Sequence, residues 1–252
     1  MFHVFVQDKE AIQATQNALE CLGLIEYVDT LRVFVPPVQG INRLKPELSL
    51  NVNFVRLFLG SELPGVSKVL WLDSDVIVQQ DISELWDLMQ KDNRHTLAVK
   101  EREKVFNERE GWTNSSRFLS LWKERYHRPP PDFAAFNAGV LMINLDHMRA
   151  HDLYLQHEME WWMHVNLHKE IWRMGSQPLC ALLAAISPSA SIGVIPQKWH
   201  SHDWGWRPPP FEELRKVSLV HYSGEKKPWL AQPSTDPVWQ RWEKSVRACI
   251  PV

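Results

Sequence analysis

Apolar and polar positions run along this chain in short blocks that switch between strand spacing and helix spacing. Phe2 to Val6 is an apolar run of strand length, Ala11 to Leu22 carries helical spacing closed by Gly23, and Leu31 to Val35 is a further strand stopped by Pro36-Pro37. Gln39 to Leu50 has no clear period and reads as a loop. Val69-Leu70-Trp71-Leu72 is continuously apolar and Val76-Ile77-Val78 resumes the run, which predicts one strand buried on both faces with Asp73-Ser74-Asp75 where it stops. Asp81-Ile82-Ser83-Glu84 has the form of a capping box, and Ile82, Leu85, Trp86 and Met89 then fall on one helical face.

Leu97 to Val99 resumes the sheet. Lys100 to Arg128 is polar and aperiodic, which predicts an excursion over the site, ended by Pro129-Pro130-Pro131. Gly139 to Leu145 reads as a buried strand, and Met148 to His168 as helix with Leu155, Met159, Trp162 and Met163 inward. Ile192 to Ile195 is a short strand, and Pro208-Pro209-Pro210 precedes a helix-to-strand segment in which Val217 to Val220 delivers His221. The alternation of strands and helices indicates an α/β fold, and with no internal repeat or linker residues 1–252 read as one domain.

With 44% hydrophobic residues, 252 residues suffice for a substantial core. Lys+Arg at 28 against Asp+Glu at 30 gives a net charge of −2, which argues against nucleic acid as a general partner. No segment approaches the ~18 consecutive apolar residues of a membrane span, and the N-terminus lacks a signal-peptide pattern. Cys21, Cys180 and Cys249 are odd in number and lack metal-site spacing, so they are expected to form neither a disulfide framework nor a zinc site. Asn114-Ser115-Ser116 is a glycosylation sequon, relevant only in a secretory lumen.

The acidic triplet carries the first candidate chemistry. With a strand's period of two, Asp73 and Asp75 project to one side and Ser74 to the other, so one hard cation could take an oxygen from each. The ordinary alternative is an exposed acidic turn. His221, at the end of its own strand-like run, offers an imidazole to a borderline metal such as Mn²⁺, with Mg²⁺ as the other candidate. Gly224 lets backbone N–H groups approach a phosphate, and Lys227 supplies a point charge for it. Histidines at strand ends and lysines in loops are common; the joint occurrence of both strings is not.

These two strings, with Phe136-Asn137-Ala138-Gly139-Val140 to Leu145 between them, resemble glycosyltransferase family 8. Within it, His221-Tyr222-Ser223-Gly224-Glu225-Lys226-Lys227-Pro228-Trp229 looks most like plant and algal galacturonosyltransferase-like proteins, and the resemblance runs from about Phe2 to Trp229. It implies a GT-A nucleotide-diphospho-sugar transferase fold, a Rossmann-like mixed sheet flanked by helices. It also implies a metal-dependent, retaining enzyme that moves a sugar (galacturonate, glucose, galactose or xylose) from a UDP-sugar to a glycan hydroxyl. Carried over by position, Asp73, Asp75 and His221 would be metal ligands; Ser74 would lie near the ribose, Gly224 and Lys227 at the diphosphate, and Arg56 would reach the donor. Asn137 and Ala138 would face the transferred sugar. Eukaryotic relatives are type II Golgi membrane proteins, so a Golgi lumen is the expected compartment, with the anchor absent from this chain.

Two departures from the pattern stand out. Gly175-Ser176-Gln177-Pro178 replaces an acidic string of many family members, leaving Gln177 as a sugar-facing amide or as a cap of the following helix. The opening Phe2 to Asp8 matches the family's second strand better than its first, so the first strand and part of its helix, with part of the uracil side of the pocket, are expected to be missing.

A catalytically inactive glycan- or partner-binding module is therefore the alternative function. A haloacid-dehalogenase-type phosphatase is a more distant one, because its later paired-acid motif is lacking. His147 and His151 have helical zinc spacing without the protease glutamate and read as solvated. His200-Ser201-His202-Asp203 reads as polar loop surface or as a sugar contact. Of the thirteen tryptophans, Trp204 and Trp206 are better candidates for sugar platforms than Trp86 or Trp162, which have helical core spacing.

Overall fold

The computed structural model describes residues 1–36, 50–92, 94, 96–98, 100–104, 114–131, 134–166, 168, 171–172, 175–186, 192–206, 210–230, 234 and 236–249. The loop expected over residues 39–49 lies outside them, as do Pro37, Val99, Pro208 and Pro209.

A mixed four-stranded sheet lies at the centre, in the order β3 (Lys68–Leu72), β8 (Val140–Asn144), β5 (Thr96–Ala98), β9 (Ile192–Val194). β8 runs antiparallel to both β3 and β5, and β9 is parallel to β5. Its strands read as continuous apolar runs because both faces are covered. Along β8, Leu141 and Ile143 enter the larger core, whereas Val140 and Met142 enter a second cluster with Leu85, Met89, Trp199 and Leu219. β3 divides likewise, Val69 and Trp71 to one side and Leu70 and Leu72 to the other.

Among the described residues three smaller two-stranded sheets accompany this one. β1 (Phe2–Val6) lies parallel to β2 (Val28–Val33), joined by α1 (Lys9–Cys21), whose first turn is capped by Asp8. Gly23, at φ 66°, ends α1 where a left-handed residue is needed. β4 (Val76–Val78) pairs with β10 (Leu219–His221), so the run expected as one strand is two strands in different sheets, hinged at the acidic triplet.

Helices fill the other layers. α3 (Ser83–Lys91) buries Leu85 and Met89 but leaves Trp86 exposed. Its capping box is half formed: the Asp81 carboxylate accepts the Ser83 N–H, whereas Glu84 pairs with Lys198 at 3.2 Å. The stretch expected to be an aperiodic excursion contains β6 (Lys100–Lys104), paired with β7 (Ala134–Phe136), and α4 (Ser115–Tyr126), capped by Asn114. Phe118 and Trp122 of α4, four apart, pack on Trp162 of α6 (Asp152–Val165) in the larger core. The helix expected over 148–168 is therefore two, α5 (Leu145–Ala150) and α6, broken at His151.

α7 (Gln177–Ile186) is almost wholly buried, and α2 (Leu59–Glu62) and α8 (Phe211–Leu214) are single turns. His147 and His151 are half-buried rather than solvated, their rings 4.9 Å apart and tilted by 55°. At the far end, α9 (Gln240–Cys249) is tied to α1 by a Cys21–Cys249 disulfide, correcting the expectation of no disulfide. The two cysteines are 228 residues apart, so no local spacing pattern could reveal the pair. Among the described residues no helix is long and apolar enough to cross a membrane.

Candidate metal and donor site

Two ladders meet at the acidic triplet and fix its ends. The Asp73 N–H donates to Gly139 O at 2.8 Å, extending the β3–β8 ladder by one rung. The Tyr222 N–H donates to Asp75 O at 2.9 Å, extending β4–β10 in the same way. The turn between these rungs, not a strand's pleat, brings the carboxylates together, and Ser74 at its apex is exposed.

His221 ends β10 directly opposite Val76, with the imidazole 3% exposed. Its Nε2 lies 3.0 Å from Asp75 Oδ1 and 4.0 Å from Asp73 Oδ2. One ligand atom from each of Asp73, Asp75 and His221 falls within 4.8 Å of the others. Lys227 closes the group: its Nζ donates to Asp75 Oδ2 at 2.5 Å and to Tyr222 O at 2.6 Å. Burial pushes the Asp75 carboxyl up, but hydrogen bonds and charge from His221 and Lys227 outweigh it and hold the group well below the usual carboxylate range.

The remaining candidates lie around this cluster. Arg56 is buried; it donates to Ala138 O and to Asn53 O, approaches Asp73 Oδ1 at 3.3 Å and lies over the Trp71 ring. Trp71 Nε1 donates to the same Asp73 oxygen at 2.7 Å. Gln177 is the first residue of α7 and its Oε1 accepts the Ala138 N–H at 3.2 Å, so its amide faces the Ala138 backbone. Asn137 accepts the Gly139 N–H. Gly224, at φ 116°, has no room for a Cβ, which would meet Trp206 Cδ1 at 2.6 Å and Gly205 C at 2.7 Å. Trp206 is exposed on this support, whereas Trp204 is buried edge-on to Tyr222 and donates to Ser201 Oγ, which makes it core rather than platform.

The donor set suits a divalent cation. An octahedral ion with bonds of roughly 2.1 Å separates adjacent ligand atoms by about 3.0 Å and opposite ones by about 4.2 Å, and the 3.0 and 4.0 Å distances from His221 span that interval. Two carboxylates and one imidazole are hard-to-borderline ligands, matching Mg²⁺ or Mn²⁺ better than a thiophilic metal.

The family model for Glycosyl transferase family 8 matches residues 2–232. The chain belongs to that family. Among curated relatives, "Probable galacturonosyltransferase 9" of Arabidopsis thaliana is 28% identical over 186 residues, 73% of this chain and 31% of that protein. "Probable galacturonosyltransferase-like 3" of the same plant is 29% identical over 205 residues, 77% and 54% respectively. The chain thus spans about a third to a half of the length of these curated relatives. Among solved structures, galactosyltransferase LgtC in complex with donor and acceptor sugar analogs superposes with a TM-score of 0.58 at 18% identity, covering 100% of this chain and 97% of that one. The fold is therefore GT-A, as the motifs implied, and the phosphatase alternative is set aside.

In this family 8 chain the sequence reading missed one group at the site. His200, weighed as loop surface or sugar contact, is 1% exposed and stacks on His221, its Nε2 2.9 Å from His221 Nδ1. Burial first, and then the neighbouring His221 and His202 imidazoles, hold its own imidazole well below the ordinary histidine range. A turn over Gln197–Trp199 and a bridge from Ser201 to Val220 put it there, a tertiary placement that no local pattern announces.

Proposed function

We propose that this chain is a metal-dependent, retaining glycosyltransferase that moves a sugar from a UDP-sugar to a glycan hydroxyl, with residues 1–252 acting as one catalytic domain. The observation that carries the reading is the convergence, within 4.8 Å, of Asp73 and Asp75 in the turn between β3 and β4 with His221 at the end of β10. These three side chains would hold Mn²⁺, or Mg²⁺, whose charge when bound offsets the charge that builds on a departing diphosphate.

The protein's own groups do the rest. Lys227, already oriented by Asp75 and Tyr222 O, adds a positive charge beside the diphosphate, and Gly224 belongs to the same loop. Arg56 fixes both the Asp73 carboxylate and the Ala138 carbonyl, so it sets the spacing between the metal side and the sugar side. Ala138, gripped between Arg56 and Gln177, forms with Asn137 the wall assigned to the transferred sugar. Ser74, exposed at the turn apex, is assigned to the ribose.

Galacturonate is the favoured donor sugar, on the names of the plant relatives. A Golgi lumen fits the Cys21–Cys249 disulfide, because such bonds persist in oxidising compartments. Titration of the folded chain with UDP, with and without Mn²⁺, followed by UDP release from a panel of UDP-sugars, tests the proposal. Metal-dependent UDP binding with release from one or two donors is the expected outcome. A folded chain that binds UDP in neither condition would instead be a binding module.

A further inference from the structure

Asn114-Ser115-Ser116 is the one place in the chain where an asparagine is followed two residues later by Ser or Thr, and no proline stands between them. The fold gives this triplet a particular setting. Asn114 caps α4: its Oδ1 accepts the Arg117 N–H at 2.9 Å, while its own backbone N–H donates to Ile171 O at 3.4 Å. A side-chain amide carries an accepting oxygen and a donating nitrogen, and the cap uses only the oxygen. Among the described residues nothing accepts a hydrogen bond from Nδ2 of Asn114. Asn114 and Ser116 are both exposed, and α4 holds to the core through Phe118 and Trp122 instead. The amide nitrogen and the hydroxyl of the triplet are therefore both presented to solvent.

A second observation lies elsewhere in the molecule. The Cys21–Cys249 disulfide belongs to an oxidising compartment, and a secretory lumen is such a compartment as well as the place where asparagines of this pattern are glycosylated. From the two together we infer that Asn114 carries an N-linked glycan on Nδ2. In that step a bond forms between Nδ2 and the anomeric carbon of an oligosaccharide held on a lipid diphosphate. The bond from that carbon to the diphosphate oxygen breaks, the lipid diphosphate leaves with the electron pair, and the Nδ2 proton passes to a base of the transferring enzyme. The product is still an amide with its Oδ1 intact, so the hydrogen bond from the Arg117 N–H survives and α4 keeps its cap. Modification and folding use different atoms of one side chain.

This rests on the luminal compartment of the proposed function, and the test separates the two. The protein is purified from its own cells, alkylated without reduction and digested, with and without a peptide-N-glycosidase, which releases the glycan and leaves Asp at position 114. Mass spectrometry then reads the peptide around residue 114 and the state of Cys21 and Cys249. Asp at 114 only after the glycosidase, with both cysteines bonded, is the expected result. In parallel, wild type, Asn114→Asp and Ser116→Ala are sent through the secretory route of cultured human cells behind a cleavable signal. Wild type should lose apparent mass on glycosidase treatment, and both variants should run untreated at the position of the deglycosylated chain. Asp keeps the capping oxygen and Ser116→Ala keeps Asn114 itself, so both variants should fold, which circular dichroism checks. A disulfide-bonded chain from its own cells with unmodified Asn114, or a glycan that persists in either variant, overturns the inference and leaves the compartment standing. Free thiols at positions 21 and 249 together with unmodified Asn114 overturn both.

Discussion

Gly139 and His221 are in contact so close that a Cβ on the glycine would lie 2.1 Å from Cε1 and 2.6 Å from Nδ1 of the imidazole. Gly139 also gives its carbonyl to the Asp73 N–H, so the same residue sets the strand end that carries one acid and the floor on which the histidine rests. The glycine is required here by space.

Gly139→Ala should therefore damage the site from beneath. His221 is buried between this floor and His200 and has nowhere to move, so overpacking should cost about 1–3 kcal/mol of stability and turn Nε2 away from Asp75. Thermal melting and Mn²⁺ calorimetry check both parts; an alanine variant with wild-type melting and metal affinity would show that the ring yields easily.

Lys227 should separate cation binding from nucleotide binding. Its ammonium donates to Asp75 Oδ2, a carboxylate that a metal also needs, and its charge opposes an incoming cation. Lys227→Met is expected to leave Mn²⁺ binding unchanged or tighter, yet to weaken UDP binding in the presence of Mn²⁺ by about tenfold, roughly 1.4 kcal/mol. Parallel titrations with Mn²⁺ and with UDP at saturating Mn²⁺ give the comparison. Loss of Mn²⁺ binding in the variant would mean that Lys227 holds Asp75 in place rather than serving the diphosphate.

The parts of this site that were legible in the sequence are those set by strand ends. Asp73, Asp75 and His221 follow apolar runs, and a residue that ends a core strand is placed by the strand. What the sequence concealed is how they meet: period-two reasoning expected a pleat, whereas a turn between two sheets does the work. α4 was hidden because only Phe118 and Trp122 of its inner face are large and buried, amid charged neighbours. His200 and the Cys21–Cys249 bond depend on contacts between segments 21 and 228 residues apart, which leave no periodic trace.

Acid should weaken the site through Asp75 in one direction only. Its folded carboxyl is held below the ordinary range by His221 and Lys227 against the opposing effect of burial. A depressed carboxylate contributes stability that is complete above its unfolded value, near about 3.9, and lost as pH falls from about 5 through the folded value. Urea unfolding of wild type and Asp75→Asn in chelator should thus show a stability gap at pH 7 that narrows by pH 3. A gap of constant size across that range would mean that Asp75 stabilises by packing and not by charge.

The disulfide makes a prediction about the order in which the molecule comes apart. α9 follows the stretch matched by the family model and has no fully buried residue of its own, so its attachment to α1 leans on Cys21–Cys249. Cys21→Ser/Cys249→Ser should lower stability by about 2–5 kcal/mol and expose α9 to limited proteolysis before the core is cut. The third cysteine reports on that core independently. Cys180 is half-buried in α7, and burial, with Asp73 adding to it and Arg56 opposing, pushes its thiol up to about 11. Iodoacetamide at pH 8 should therefore leave the folded protein unlabelled and add a single carbamidomethyl group once urea opens α7. Mass spectrometry across a urea series distinguishes the two events: α9 cleaved with Cys180 still protected in the double serine variant places the disulfide outside the cooperative core, whereas simultaneous cleavage and labelling would make α9 part of it.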